Sequence, residues 1–239
     1  MAQGKHDGKP GKRRALLIVE IICVIVVIVC VALIFMQISK YWTANNEFNA
    51  ITEEYDRNPN ALVTDNPNCV GWVSVADTRI DYPVMYTPND PEYYLHRNFE
   101  GNESAAGTPF LGKGCLLDGN SAIIYGHNMN DGSMFSAFAS YSDAGFAAEH
   151  DEILLQTPEG NTRLRVVAVD VVDSNVEHKR LDFATDEELS SWLDELLGRA
   201  DVALVDGTRT DSVKAFCTCS YGRWNGHERT IVYAQEEVG

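Results

Sequence analysis

The chain opens with a polar, basic stretch, and then polarity vanishes. From Ala15 to Met36 only Glu20 interrupts an apolar run. A run of about 20 such residues is long enough to cross a bilayer as a helix. Ser39 to Arg57 alternates differently: Phe48, Ile51 and Tyr55 recur at helical spacing, which predicts an amphipathic helix packed on a domain. Asn58-Pro59-Asn60 should end it, because the residue before a proline disfavours helix. From Cys69 onward the period shortens. Val70–Val75 and Thr78–Tyr82 read as a hairpin around Ala76-Asp77, and Pro109–Leu117 and Ser121–Tyr125 as strands joined at Asp118-Gly119-Asn120. Asp90 to Leu95 predicts a short helix capped by Asp90, and residues 133–150 a helical segment burying Met134, Phe135 and Phe138. Ile153–Thr157 and Arg163–Val172 form another hairpin across Glu159-Gly160. Thr185 and Glu188 make a capping box for a helix that buries Leu189, Trp192, Leu193 and Leu196 and stops at Gly198. Two strands close the chain: Val213 to Cys219, and Thr230 to Ala234 opened by Arg229. Many short strands with one inserted helix predict a mainly β fold, a barrel with peripheral helices.

Charge sharpens this picture. The 239 residues carry a net charge of −16. Yet Lys5, Lys9, Lys12, Arg13 and Arg14 face only Asp7 in the first fourteen positions. With Glu20 counted, the first 36 residues hold +3, so the remainder holds −19. A domain this acidic excludes nucleic acid as a partner, since neutralising phosphates needs clustered Lys and Arg. The basic cluster before the apolar run predicts a cytoplasmic N-terminus with everything after Met36 outside the cell. The apolar core exceeds the ~7–15 residues of a secretory h-region and no small-x-small site closes it, which favours an uncleaved anchor over a signal peptide. The expected organisation is a basic tail over 1–14, a transmembrane anchor over 15–36, a juxtamembrane helix and linker over 37–60, and one domain over 61–239.

Six cysteines remain to be placed. Cys23 and Cys30 lie in the span and read as small apolar residues. Outside, an oxidising milieu allows a Cys69–Cys115 bridge without requiring it. No pair of C-x₂₋₄-C clusters is present, so no metal and no cofactor is expected.

The candidate chemistry sits at strand ends. Cys219 ends one strand, Arg229 opens the next, and His127 follows Ser121–Tyr125. A thiolate is the strongest side-chain nucleophile at neutral pH. A nearby His supplies a counter-charge and a proton for a leaving amine, and an Arg supplies positive charge for a developing oxyanion. His6, His96, His150, His178 and His227 lack a comparable setting.

These residues also carry a resemblance. Tyr125-Gly126-His127-Asn128-Met129 resembles the histidine motif of sortases. Cys217-Thr218-Cys219 before an arginine strand resembles their Thr-Leu-x-Thr-Cys signature, with Ala215 and Phe216 where that family usually has Thr and Leu. Gly71–Val75 followed by Ile80–Val84 is similar to the first strands of class B sortases, and the likeness runs roughly from Pro67 to Ala234. The resemblance implies a sortase-type closed β-barrel and a membrane-anchored cysteine transpeptidase. It implies catalytic roles for His127, Cys219 and Arg229 and substrate contacts at Leu95, Cys217, Thr218 and Ser220. The implied partners are secreted proteins bearing a C-terminal sorting signal, cut after a threonine, and an amine acceptor on a peptidoglycan precursor or a pilin lysine. Two other classes stay open on the residues alone: a different cell-wall Cys/His transpeptidase or hydrolase, and a non-catalytic membrane-anchored adhesion module. In such Cys/His enzymes the pair is typically close in sequence, whereas 92 residues separate His127 from Cys219.

Overall fold

The computed structural model describes residues 10–57, 65–174, 183–204, 212–223 and 226–236. The basic tail before Pro10 and the linker at 58–64 lie outside them.

Helix α1 runs unbroken over Pro10–Arg57. The apolar run and the amphipathic segment are therefore one helix and not two. The chain divides into two compact units, Met1–Thr43 and Ala44–Gly239. In the first, the large apolar side chains from Leu16 to Ile38 are all exposed. Leu16–Glu53 meets the length and composition of a membrane span.

In the second unit the end of α1 packs as its spacing predicts. Phe48 meets Tyr82 edge to face, with centroids 5.3 Å apart, and Tyr55 stacks on Trp72 at 4.2 Å. Burying each such ring stabilises the unit by about 1.5–3 kcal/mol. Polar groups on the same helix reach two loops: Asn45 donates to Asp131 at 3.1 Å, and Glu47 accepts from Asn98 at 3.0 Å.

The strands form a closed barrel. They are β1 (Cys69–Ser74), β2 (Asp81–Met85), β3 (Phe110–Leu111), β4 (Ser121–Tyr125), β5 (Glu152–Thr157), β6 (Gly160–Asp173), β7 (Val202–Ala203), β8 (Val213–Ser220) and β9 (Glu228–Glu236). Hydrogen bonding runs β5-β1-β2-β3-β4-β8-β9-β6 and returns to β5, so eight strands close the ring while β7 adds to β6 outside it. Among the described residues only β2–β3 and β4–β8 pair in parallel. Inside, Val73, Val84, Ile124, Phe216 and Val232 meet Phe135 and Phe138 from the β4–β5 connection. Outside, helix α4 (Asp186–Arg199) lays Leu189, Leu193 and Leu196 over Ala215, Cys217, Ile231 and Tyr233. Alternation along β8 thus sends Phe216 inward and Ala215 and Cys217 outward.

Several boundaries differ from the periodic reading, each for a local reason. The first hairpin's second strand begins at Asp81, not Thr78, because Thr78 is spent in the turn. Its hydroxyl donates to the Val75 carbonyl and accepts from Ile80 N–H, and Asp77 sits at φ 59°. The Pro109–Leu117 strand shrinks to two residues. The 133–150 segment is not one helix. Met134 at φ 56° delays its start, α2 covers only Ser136–Ala139, and Asp143 caps a fresh helix α3 over Ala144–Glu149 by accepting from Phe146 N–H. The short helix expected from Asp90 is a 3-10 turn over Tyr93–His96. In α4 the Thr185 cap is present, Trp192 is only half-buried, and Gly198 is passed before Ala200 turns extended.

Candidate active site

The parallel pairing of β4 with β8 brings the ends of two distant strands together, with Tyr125 opposite Cys217. Three hydrogen bonds carry the pairing past the strand ends. Gly126 N–H donates to the Cys217 carbonyl at 3.1 Å, the Thr218 hydroxyl to the Gly126 carbonyl at 2.9 Å, and the Asn128 amide to the Cys219 carbonyl at 2.8 Å. His127 is therefore held between two residues stapled to the cysteine strand. On its other side β8 pairs with β9 so that Cys219 lies directly opposite Arg229.

Gly126 has a packing role as well. A Cβ there would stand 2.5 Å from the Phe135 ring, and Phe135 N–H itself donates to the His127 carbonyl at 2.9 Å. Gly126→Ala is expected to cost about 1–3 kcal/mol as an overpacked core substitution, read as a lowered midpoint in chemical denaturation. An unchanged midpoint would mean that the ring shifts freely.

His127 is half-buried, and its Nε2 lies 2.8 Å from the Leu95 carbonyl. A carbonyl only accepts, so Nε2 carries the proton of that bond. The His96 ring stacks beside it, with centroids 5.5 Å apart and planes 22° apart. Burial pushes the His127 pKa below the ordinary imidazole value, the Leu95 bond opposes this, and repulsion from His96 and Arg229 adds to the lowering. Arg229 donates from Nη1 to the Glu228 carbonyl at 2.8 Å. The buried Glu228 carboxylate accepts from Gly222 and Arg223 N–H groups, which fixes the chain just after Cys219.

A cleft of about 760 Å³ opens here, and His127, Cys219 and Arg229 all line it. So do Leu95, Cys217 and Thr218, whereas Ser220 does not. Cys217 and Cys219 share one strand face and Thr218 and Ser220 the other; of the latter pair Thr218 lines the cleft and Ser220 does not. The Ser220 hydroxyl is buried and lacks a hydrogen-bond partner among the described residues. Sequence reasoning passed over His96 and Asn128. Asn128 was visible inside the histidine motif; His96 gave no signal, because only the barrel brings its turn to His127. None of the described cysteines is in a disulfide, so Cys69 and Cys115 are not bridged. Cys69 is buried, and burial raises its thiol to about 11. Among the described residues no group of three or more His, Cys, Asp or Glu is arranged to hold a metal ion.

No protein-family model matches the chain. Sortase B of Listeria monocytogenes is 32% identical over 134 residues, 55% of this chain and 54% of the relative, so the match spans about half that protein's length. Sortase B of Staphylococcus aureus is 25% identical over 173 residues, 71% of this chain and 70% of the relative. A crystal structure of sortase B from Bacillus anthracis in complex with AAEK1 superposes with a TM-score of 0.73 at 26% identity, covering 83% of this chain and 98% of that one. A Staphylococcus aureus sortase B–substrate complex matches the fold with a TM-score of 0.74 at 21% identity, over 83% of this chain and 98% of that one. In sequence and in barrel topology, the chain is similar to the class B sortases.

Proposed function

We propose that this chain is a membrane-anchored cysteine transpeptidase acting on secreted proteins that carry a C-terminal sorting signal. The observation that carries the reading is the placement of Cys219, opposite Arg229 in the ladder and beside His127 in one cleft. The Cys219 thiolate attacks the carbonyl of a threonine in the signal. The C–S bond forms as the C–N bond breaks, and His127 gives its proton to the departing amine. An acceptor amine then attacks the thioester, His127 takes that proton back, and the thiolate leaves. Arg229 and the backbone N–H near Ser220 face the negative charge that builds on the carbonyl oxygen in both steps. Leu95, Cys217 and Thr218 line the path of the signal, for which an Asn-Pro-x-Thr type is the family's suggestion. The acceptor is an amine of a peptidoglycan precursor or a pilin lysine.

Incubating the full chain in detergent micelles with a peptide library tests this. Mass spectrometry should find cleavage after threonine and a covalent adduct on Cys219. No cleavage and no adduct would sink it, and would leave the adhesion module standing.

The same proposal sets the topology: residues 1–14 in the cytoplasm, 15–36 in the bilayer, and 37–60 leading to an external catalytic domain over 61–239. A reporter fused after Gly239 should be found outside the cytoplasm and in the membrane fraction. Recovery from the medium would mean that the helix is cleaved as a signal peptide.

A further inference from the structure

The 3-10 turn Tyr93–His96 touches His127 twice. Leu95 meets the edge of the ring through its carbonyl, and His96 covers a face. Both residues line the cleft. We propose that His96 is a positioning residue for His127, the turn clamping the ring by edge and face so that His127 exchanges its catalytic proton through Nδ1. This rests on the proposed transpeptidase function.

The clamp has a geometric consequence. The Leu95 carbonyl keeps a proton on Nε2 whether the ring is neutral or charged, so only Nδ1 is free to give and take one. Rotation of the ring by half a turn would put Cε1 where Nε2 stands and break the Leu95 bond, although the ring plane would still lie against His96. It also has an electrostatic consequence. A positive charge on the stacked His96 ring disfavours one on His127, so protonation of His127 is coupled to the charge on its neighbour. The other charged or titratable groups lining the cleft are Cys217 and Cys219 from β8, Arg229 from β9, Tyr125 from β4, Asp90 and Glu92 from the loop before the turn, and Lys113. Arg229 and His96 are the charges that act on His127 appreciably, and both disfavour its cation. His96 is exposed, so its substitution leaves the core untouched.

The test uses the full chain in detergent micelles with ring-labelled histidine, observed by NMR as pH is lowered. His96→Phe keeps a flat ring and removes the charge. The His127 signals should then titrate with a midpoint raised by about half a unit, as expected for unit charges 5.5 Å apart at the dielectric of water. Kinetics supply the second arm. His96→Ala should lower kcat for acylation with little change in KM, and His96→Phe should recover most of the loss by restoring the stack. An unchanged His127 titration in His96→Phe would overturn the proposal. So would a raised KM with kcat intact in His96→Ala, which would make His96 a substrate contact. If instead His127→Ala retained full activity while the coupled titration was seen, the transpeptidase reading would fall and the ring clamp would survive.

Discussion

Cys219→Ala is expected to lose transpeptidation by roughly 10⁴–10⁶-fold, the scale on which hydrolases fail when their nucleophile is removed. No thioester should then accumulate on incubation with a sorting-signal peptide. Cys217 makes the informative control. It shares the β8 face with Cys219, at a Cα spacing of about 6.6–6.8 Å for two residues of strand. That is the upper limit of disulfide reach, and neither cysteine is in a disulfide. The two differ in surroundings. Cys217 is 1% exposed and packs in the cluster under α4, whereas Cys219 stands half-exposed at the strand's end. Cys217→Ser and Cys217→Ala should therefore keep acylation and change mainly substrate affinity. The serine variant also carries a stability cost of about 1–3 kcal/mol if its hydroxyl goes unpaired. A dead Cys217→Ala beside a Cys219→Ala that still forms thioester would reverse the assignment.

His127→Ala should lower turnover by roughly 10²–10⁴-fold, the worth of a general acid–base. Arg229→Ala should lower it by about 10²–10³-fold, the worth of an oxyanion donor. Arg229→Lys should recover little, because an ammonium cannot hold the Glu228 carbonyl and still present a planar fork to the cleft. Near-normal turnover in either alanine variant, with the domain folded by circular dichroism, would remove that residue from the chemistry. The pH dependence has a definite sign. His127 must be cationic to protonate the leaving amine, and its pKa lies below the ordinary imidazole value. The cation is therefore lost at lower pH than for a free imidazole. The alkaline fall in acylation that reports His127 should begin below the usual imidazole range, and His127→Ala should remove that limb.

Much of this was legible because it is local. The Thr185 cap, the buried leucines of α4 and the alternation along β8 need only neighbours, and the structure has them as read. The rings of Phe48 and Tyr55 announced a packed helix, and it packs. Boundaries failed where a side chain entered a turn, as Thr78 does, or where a non-glycine residue took positive φ, as Met134 does. Periodicity has no term for either. At the candidate site, sequence brought out the residues at strand ends. It could not bring out His96, whose meeting with His127 depends on β2, β3 and β4 being neighbours. Nor could it show that Ser220 stays out of the cleft while Thr218, on the same strand face, lines it.

The β4–β8 pairing has a consequence for when the protein becomes active. Cys219 and His127 are 92 residues apart in the chain, and what joins them is a parallel ladder laid down between Ser121–Tyr125 and Val213–Cys217. Contacts at such separation form late, because the loop-closure entropy must be met before they return any stability. The strand bearing the cysteine is also next to last in the sequence, so the N-terminal half cannot complete the cleft however well it folds. A nascent or partly translocated chain would thus hold a thiol with no acid beside it and no arginine opposite. Reactivity would switch on only as the barrel closes, which protects neighbouring proteins from an unfinished nucleophile.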